Sequence, residues 1–260
     1  MRHEVVLDVL ALYFVSTAAV CVLLAPLFRR AMASVPANSR RCDRNERRRW
    51  IGAGLDLLIP TLFLELSVNT IILIASLVLP TDEVAILTIA LRVQAVVLFG
   101  VTSINMVVAP RIARSLGAGD EATVNDLLFA STHLKLWPAL LLACLLPVFG
   151  EPLLAIFGPE YAAALLPLIT LCAIPVIMAV FGPVVLFVTV LELEAVANRV
   201  FQLAFVALAI LVPALGYYFG VQGAAVAVIA VWLGWHVALY RLIRVRTRYS
   251  TLRLTPRQAA

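Results

Sequence analysis

Long apolar runs, divided by short polar stretches, dominate this sequence. The central run, Val84–Ala109, follows Pro80 and the helix-start residue Asp82. It carries one charge, Arg92, and ends at Pro110, ahead of Arg111, Arg114 and the turn Gly117–Asp120. A spanning helix needs roughly 20 apolar residues, so this run crosses a bilayer with room to tilt. The same pattern predicts a first helix over Val5–Phe28, a second over Ile51–Leu79 and a third over Asp82–Ala109. A fourth starts within Glu121–His133 and reaches Phe149. A fifth covers Ala162–Val190, a sixth Val200–Phe219 and a seventh Gln222–Tyr240, the last two joined by a tight turn at Gly220. Between the fourth and fifth, Gly150–Tyr161 reads as an interfacial turn of helix over Pro152–Phe157, ended by Gly158-Pro159.

Proline modifies two of these spans. Pro60 predicts a kink in the second, because its ring removes a backbone donor and crowds the preceding turn. Pro167, Pro175 and Pro183 fall in one span, the fifth, and predict a bent or broken helix there.

Composition agrees with a membrane class. Of the 260 residues, 63% are hydrophobic and 13% charged, where a soluble domain carries about 25% charged. The expected fold is all-α and polytopic, with about seven transmembrane helices. Residues 1–50 form a single span and a basic loop, 51–245 a six-helix bundle, and 246–260 a basic tail.

The net charge is +5, and its placement matters more than its sum. Most of the cations fall in three blocks: residues 29–49, residues 111–114 with Lys135, and residues 241–257. Cytoplasmic loops carry such an excess, so the N-terminus is expected outside and the C-terminus inside. The arginine run at 29–49 can also lie on anionic lipid headgroups, at roughly 1 kcal/mol per residue. No soluble basic face exists for nucleic acid. The first apolar run is too long for a secretory h-region and ends in Arg29-Arg30. Cys21, Cys42, Cys144 and Cys172 show no ligand spacing, and His3, His133 and His236 are far apart and read as packing or interfacial side chains. No cofactor, metal or enzyme motif is found.

Charges inside spans mark candidate sites. Counting from the turn at Pro80–Asp82 at about 1.5 Å per residue, Arg92 lies about 15 Å deep. Asn69 and Thr70 are level with it on the second helix, and Glu65 is one turn deeper. Asp56 is level with Asn105. Helical spacing permits one polar seam of Glu65, Asn69, Thr88, Arg92 and Ser103. Three readings of Arg92 stay open: a buried pair with Glu65, a cavity cation holding an anionic group while Glu65 gates it or binds an ion, and a lipid-facing side chain. Trp232, Trp235, Tyr217, Tyr218 and Tyr240 read as interfacial-belt or lipid-facing aromatics.

Three segments carry a family resemblance. Ala90–Asp120, ALRVQAVVLFGVTSINMVVAPRIARSLGAGD, resembles the eighth helix and following loop of bacterial polysaccharide (oligosaccharide, O-antigen) flippases. These belong to the multidrug/oligosaccharidyl-lipid/polysaccharide exporter superfamily, with the MATE transporters. Phe149–Leu168 is similar to the family's next outer loop and tenth helix. Leu211–Leu233, with its G-x-x-G-A-A at Gly220–Ala225, resembles the final hairpin.

The resemblance implies two six-helix bundles around a cavity, in a multi-pass protein of the bacterial inner membrane. It implies transport of a polyprenyl-pyrophosphate-linked oligosaccharide in cell-surface polysaccharide (lipopolysaccharide) biosynthesis, with Arg92 at an "LR" position suited to the pyrophosphate. The chain matches the sixth helix and second bundle, so a truncated half-transporter, a second half or a homodimer is expected. The alternatives are half of a MATE-like multidrug or cation exporter and a non-transporting assembly partner.

Overall fold

The computed structural model describes residues 14–16, 18–20, 22–27, 29–30 and 43–246, and every regular element among them is a helix. The order is α1 (Arg44–Ala75), α2 (Thr81–Gly117), α3 (Glu121–Ala155), a 3-10 turn (Pro159–Ala164), α4 (Leu165–Leu171), α5 (Ala173–Phe181), α6 (Val184–Val190) and α7 (Glu194–Arg246). Residues between 14 and 30 are helical wherever described, in line with the first apolar run. Residues 31–42 and the tail 247–260 lie outside the described residues, as do the side chains of Asp56 and Pro60. The chain divides into two compact units, Met1–Ile51 and Gly52–Ala260.

Among the described residues, four helical stretches are long and apolar enough to cross a membrane: α2, α3, Pro159–Phe181 and α7. The apolar part of α1, Thr61–Ala75, is shorter. Several boundaries differ from those the sequence pattern predicts. The basic segment is already helical from Arg44, and the backbone stays helical through Pro60. Helix α2 does not stop at Pro110 but runs on to Gly117. Ile112, with no exposed surface, holds that last part in the bundle. The stretch Arg111–Gly117 is therefore helix as well, with only Ala118–Asp120 between α2 and α3. Helix α3 likewise continues past Phe149 to Ala155, absorbing the expected interfacial turn, because Leu154 is wholly buried against the bundle.

The fifth span is broken, as its prolines predict, and the breaks follow a rule. Pro167 and Pro175 are each the third residue of their helix, α4 and α5, and Pro183 directly precedes α6. In a first turn the backbone N–H has no intrahelical acceptor, so proline's missing donor costs nothing there. Gly182, at φ 69°, makes the sharper break between α5 and α6.

Helix α7 runs for 53 residues, about 80 Å if straight, far more than one crossing. Gly220, at φ 61° and ψ −152°, divides it into arms 194–219 and 221–246. The arms fold back on each other, bringing Phe201 and Trp235 to a ring separation of 5.3 Å. Small residues line the second arm: Gly223, Ala224, Ala225 and Ala227 are buried. A side chain at Gly223 would collide with the Leu215 carbonyl, so the backbones meet there. The freed amide of Val221 donates to Glu83 Oε2 of α2 at 2.9 Å, and Gln222 donates to Thr170 of α4 at 2.7 Å. Both bonds satisfy polar groups near the reversal.

Gly220→Ala should lower stability by about 1–3 kcal/mol, since it sets a side chain at positive φ and against the Glu83 carboxylate. Gly234→Ala, where an added methyl meets nothing within 4 Å, serves as control. Thermal unfolding in detergent should show a lower midpoint for the first variant and none for the second.

Candidate transport site

Helix α1 presents two unlike sides. Phe63 and Ile71 are buried, and Phe63 packs on Phe201, Phe205 and Trp235 of α7 at ring separations of 5.4, 4.9 and 6.2 Å. Helical spacing then turns Glu65 and Asn69 to the other side, where both are exposed. On α2 the residues Leu87, Ala90, Leu91, Gln94 and Val101 are buried. Arg92 and Phe99 are exposed on the opposite side, with Thr88 and Ser103 half-buried beside them.

The five seam residues therefore do not form a network. Thr88 Oγ1 donates to its own helix at Val84 O (2.7 Å), and Ser103 Oγ donates to Phe99 O (2.8 Å). Among the described residues Arg92 has no ion pair or hydrogen bond, and neither has Glu65. The buried Arg92–Glu65 pair is thus not formed, because anchoring Phe63 on α7 directs Glu65 away from the bundle. Arg92 and Glu65 remain as separate exposed charges on their two helices.

The enclosed charge is elsewhere. Lys135 of α3, grouped by sequence with the cytoplasmic basic block, has no exposed surface at all. Its Nζ donates to Asn105 Oδ1 of α2 at 2.9 Å. Asn125, Ser131 and Thr132 of α3 are buried too; Ser131 and Thr132 lie about one turn before Lys135, and Asn125 nearly two turns before them. Ser131 donates to Leu128 O, whereas Asn125 Oδ1, Thr132 Oγ1 and Gln94 Nε2 of α2 are buried without partners. Two signals in the sequence point to this seam. Lys135 is the only lysine in the chain, and it follows Ser131 and Thr132 at helical spacing.

Two concavities flank these helices. At the α2–α3 turn, Arg111, Arg114, Ser115, Asp120 and Thr123 line a basic recess of about 480 Å³. Asp120 caps α3 there by accepting from the Thr123 amide at 3.0 Å, and the bonds to Thr123 lower its carboxyl below the usual range. Between the arms of α7 lies an apolar groove of about 240 Å³, lined by Leu203, Ala207, Leu211, Val231 and Trp235 among others.

The aromatics divide. Tyr217 and Tyr218 are exposed next to the Gly220 reversal, where belt residues belong. Trp232 and Trp235 are buried core residues instead, enclosing His236, whose Nδ1 lies 2.8 Å from Trp232 O. The hairpin packing that buries them depends on the opposite arm, which no local pattern reports.

Helical stretches long and apolar enough to cross a membrane, one of them broken at its prolines, fit a multi-pass membrane protein. The MatE family model matches residues 58–219, which is more than half of the chain, and the chain belongs to that family, whose members are transporters. The matched region runs from within α1 to the end of the first arm of α7. No curated protein and no solved structure matches the chain.

Asn105→Leu should cost about 3–5 kcal/mol, because it leaves an enclosed ammonium with no acceptor. Lys135→Met removes charge and demand together at similar volume and should cost much less; chemical unfolding of the two variants in detergent compares them. The Asp120 cap gives a separate expectation. Its carboxyl is lowered in the folded state, so its contribution is present above the unfolded carboxylate range and is lost as pH falls through the folded value. The protection factor of the Thr123 amide should fall on acidification in the wild type, and be low at every pH in Asp120→Ala.

Proposed function

We propose that the bundle moves a polyprenyl-pyrophosphate-linked oligosaccharide across the bacterial inner membrane, as a flippase of cell-surface polysaccharide biosynthesis. Arg92 carries this reading. It stands 11 residues into α2, about 17 Å along the helix. It is exposed, with no partner among the described residues. A bare guanidinium facing acyl chains is costly, and one facing a polar pathway can grip a pyrophosphate by paired hydrogen bonds. Thr88 and Ser103 stand on the same side of α2 as hydroxyl neighbours for a sugar. The apolar groove of α7 has the chemistry a prenyl chain fits. In this reading the bundle supplies one wall of the pathway, and a second bundle, whatever chain carries it, supplies the other.

The MatE match and the exposed pair Glu65 and Asn69 favour a second reading, export of an organic cation. A carboxylate and an amide one turn apart suit a cationic cargo as Arg92 suits an anionic one.

In vesicles holding the protein, flipping of a fluorescent lipid-linked oligosaccharide should fall about 10- to 100-fold in Arg92→Ala, the value of one charge-assisted contact, while membrane insertion is unchanged. Undiminished flipping by that variant removes the flippase reading. Cation export that is abolished by Glu65→Gln and indifferent to Arg92→Ala establishes the second.

A further inference from the structure

The basic recess at the α2–α3 turn has no part in the transport proposed above. Arg111 and Arg114 are three residues apart, so they project from one side of α2, and both are exposed. Neither has an ion pair or hydrogen bond among the described residues. Ile112 between them is wholly buried, as are Val124 and Leu128 of α3, so packing fixes the rotation of both helices at the recess. The turn is closed by its own backbone. The Ala118 amide donates to Arg114 O, and the Asp120 amide to Ser115 O, each at 3.0 Å. The recess is therefore a formed concavity of about 480 Å³ with two guanidiniums in its wall.

The other groups in the wall narrow the ligand. Ser115 offers a hydroxyl, and Asp120 is the one carboxylate. That carboxylate already accepts from the Thr123 amide at 3.0 Å, at a helix start whose partial positive charge offsets its own. Two cations against one anion favour a ligand with a single negative charge. Guanidinium forks match the oxygens of a phosphate group. Position supplies the rest. Helix α2 has 37 residues, about 55 Å along its axis. A bilayer with its headgroups is about 40–45 Å thick, so the last turns of α2 reach the headgroup layer. Met106 and Val107, about one turn before Arg111, are exposed apolar side chains, and Leu127 adds an apolar patch to the recess itself. Phosphate-binding groups at the edge of an apolar surface suit an amphiphile.

We propose that the recess at the α2–α3 turn binds the phosphodiester headgroup of an anionic membrane lipid, gripped by Arg111 and Arg114, with the acyl chains beside Met106 and Val107. The bound lipid ties the end of α2 to the start of α3. The proposal does not depend on the cargo, because neither Arg92 nor Glu65 lines the recess.

Native mass spectrometry of the full chain in detergent, titrated with phosphatidylglycerol or phosphatidylcholine, tests it. The wild type should bind phosphatidylglycerol the more tightly. Arg111→Gln with Arg114→Gln should weaken that binding about 10- to 100-fold. Arg111→Lys with Arg114→Lys keeps the charge without the forks and should fall between the two. Arg241→Gln with Arg244→Gln removes as much charge from exposed positions of α7 and should leave the binding unchanged. Asp120→Asn keeps a capping side chain and removes the like charge, so it should tighten binding about 2- to 5-fold. Equal affinity for the two lipids overturns the proposal, and so does an equal loss in the α7 pair. Weaker binding by Asp120→Asn also overturns it, because the carboxylate would then be holding the amine of a zwitterionic headgroup. Inorganic phosphate that displaces the lipid at equal concentration overturns the lipid assignment in favour of a soluble phosphate. Failure of the flippase reading would leave this binding intact.

Discussion

A polar group withdrawn from water is costly unless the protein itself supplies a partner, and much of this architecture follows from that constraint, although Gln94, Asn125 and Thr132 each keep an unbonded atom. Serine and threonine hydroxyls on α2, α3 and α4 return their donors to carbonyls one turn back. The reversal at Gly220 frees an amide, and a carboxylate from another helix takes it. The prolines of the fifth span sit where a missing donor leaves nothing unpaired. The Lys135–Asn105 bond is the most demanding instance, because it concerns a cation and joins the two longest single-crossing helices.

The same constraint separates the two kinds of charge in the spans. Lys135 is inside the bundle and bonded. Arg92 and Glu65 are outside it and bonded to nothing among the described residues. Exposed charges at such depth call for surroundings other than hydrocarbon. In the transport proposed above, the face that the bundle leaves unpaired is the one on which the translocation pathway is built. The enclosed lysine, by contrast, lies in the seam between α2 and α3, where a change of helix packing would alter its hydration.

Small residues supply the remaining organisation. Within lipid, apolar side chains gain little by exchanging one apolar neighbour for another, so close backbone approach and good van der Waals fit must hold helices together. The Gly223–Ala227 run does this in the α7 hairpin. It brings the second arm close enough for Trp235 to reach both Phe201 and Phe63. That aromatic cluster fixes the rotation of α1 and with it the outward direction of Glu65.

The sequence by itself determined the membrane class, the approximate spans, the turn at Gly220 and the broken fifth helix. Each of these depends on local chemistry: run length against bilayer thickness, the missing amide of proline, the φ range open to glycine. It was less able to end α2 and α3, because Pro110 reads as a stop and Gly150–Tyr161 as a separate interfacial turn, and the burial of Ile112 and Leu154 overrides both. It grouped Lys135 with the cytoplasmic cations for the same reason, since a lone lysine near a basic block looks like a topology signal until a second helix covers it. Only the tertiary structure decided which charges face each other. Helical spacing sets which residues share a side of one helix, but the rotation of that helix about its axis is set by what its neighbours bury, and here the burial of Phe63 parted Glu65 from Arg92.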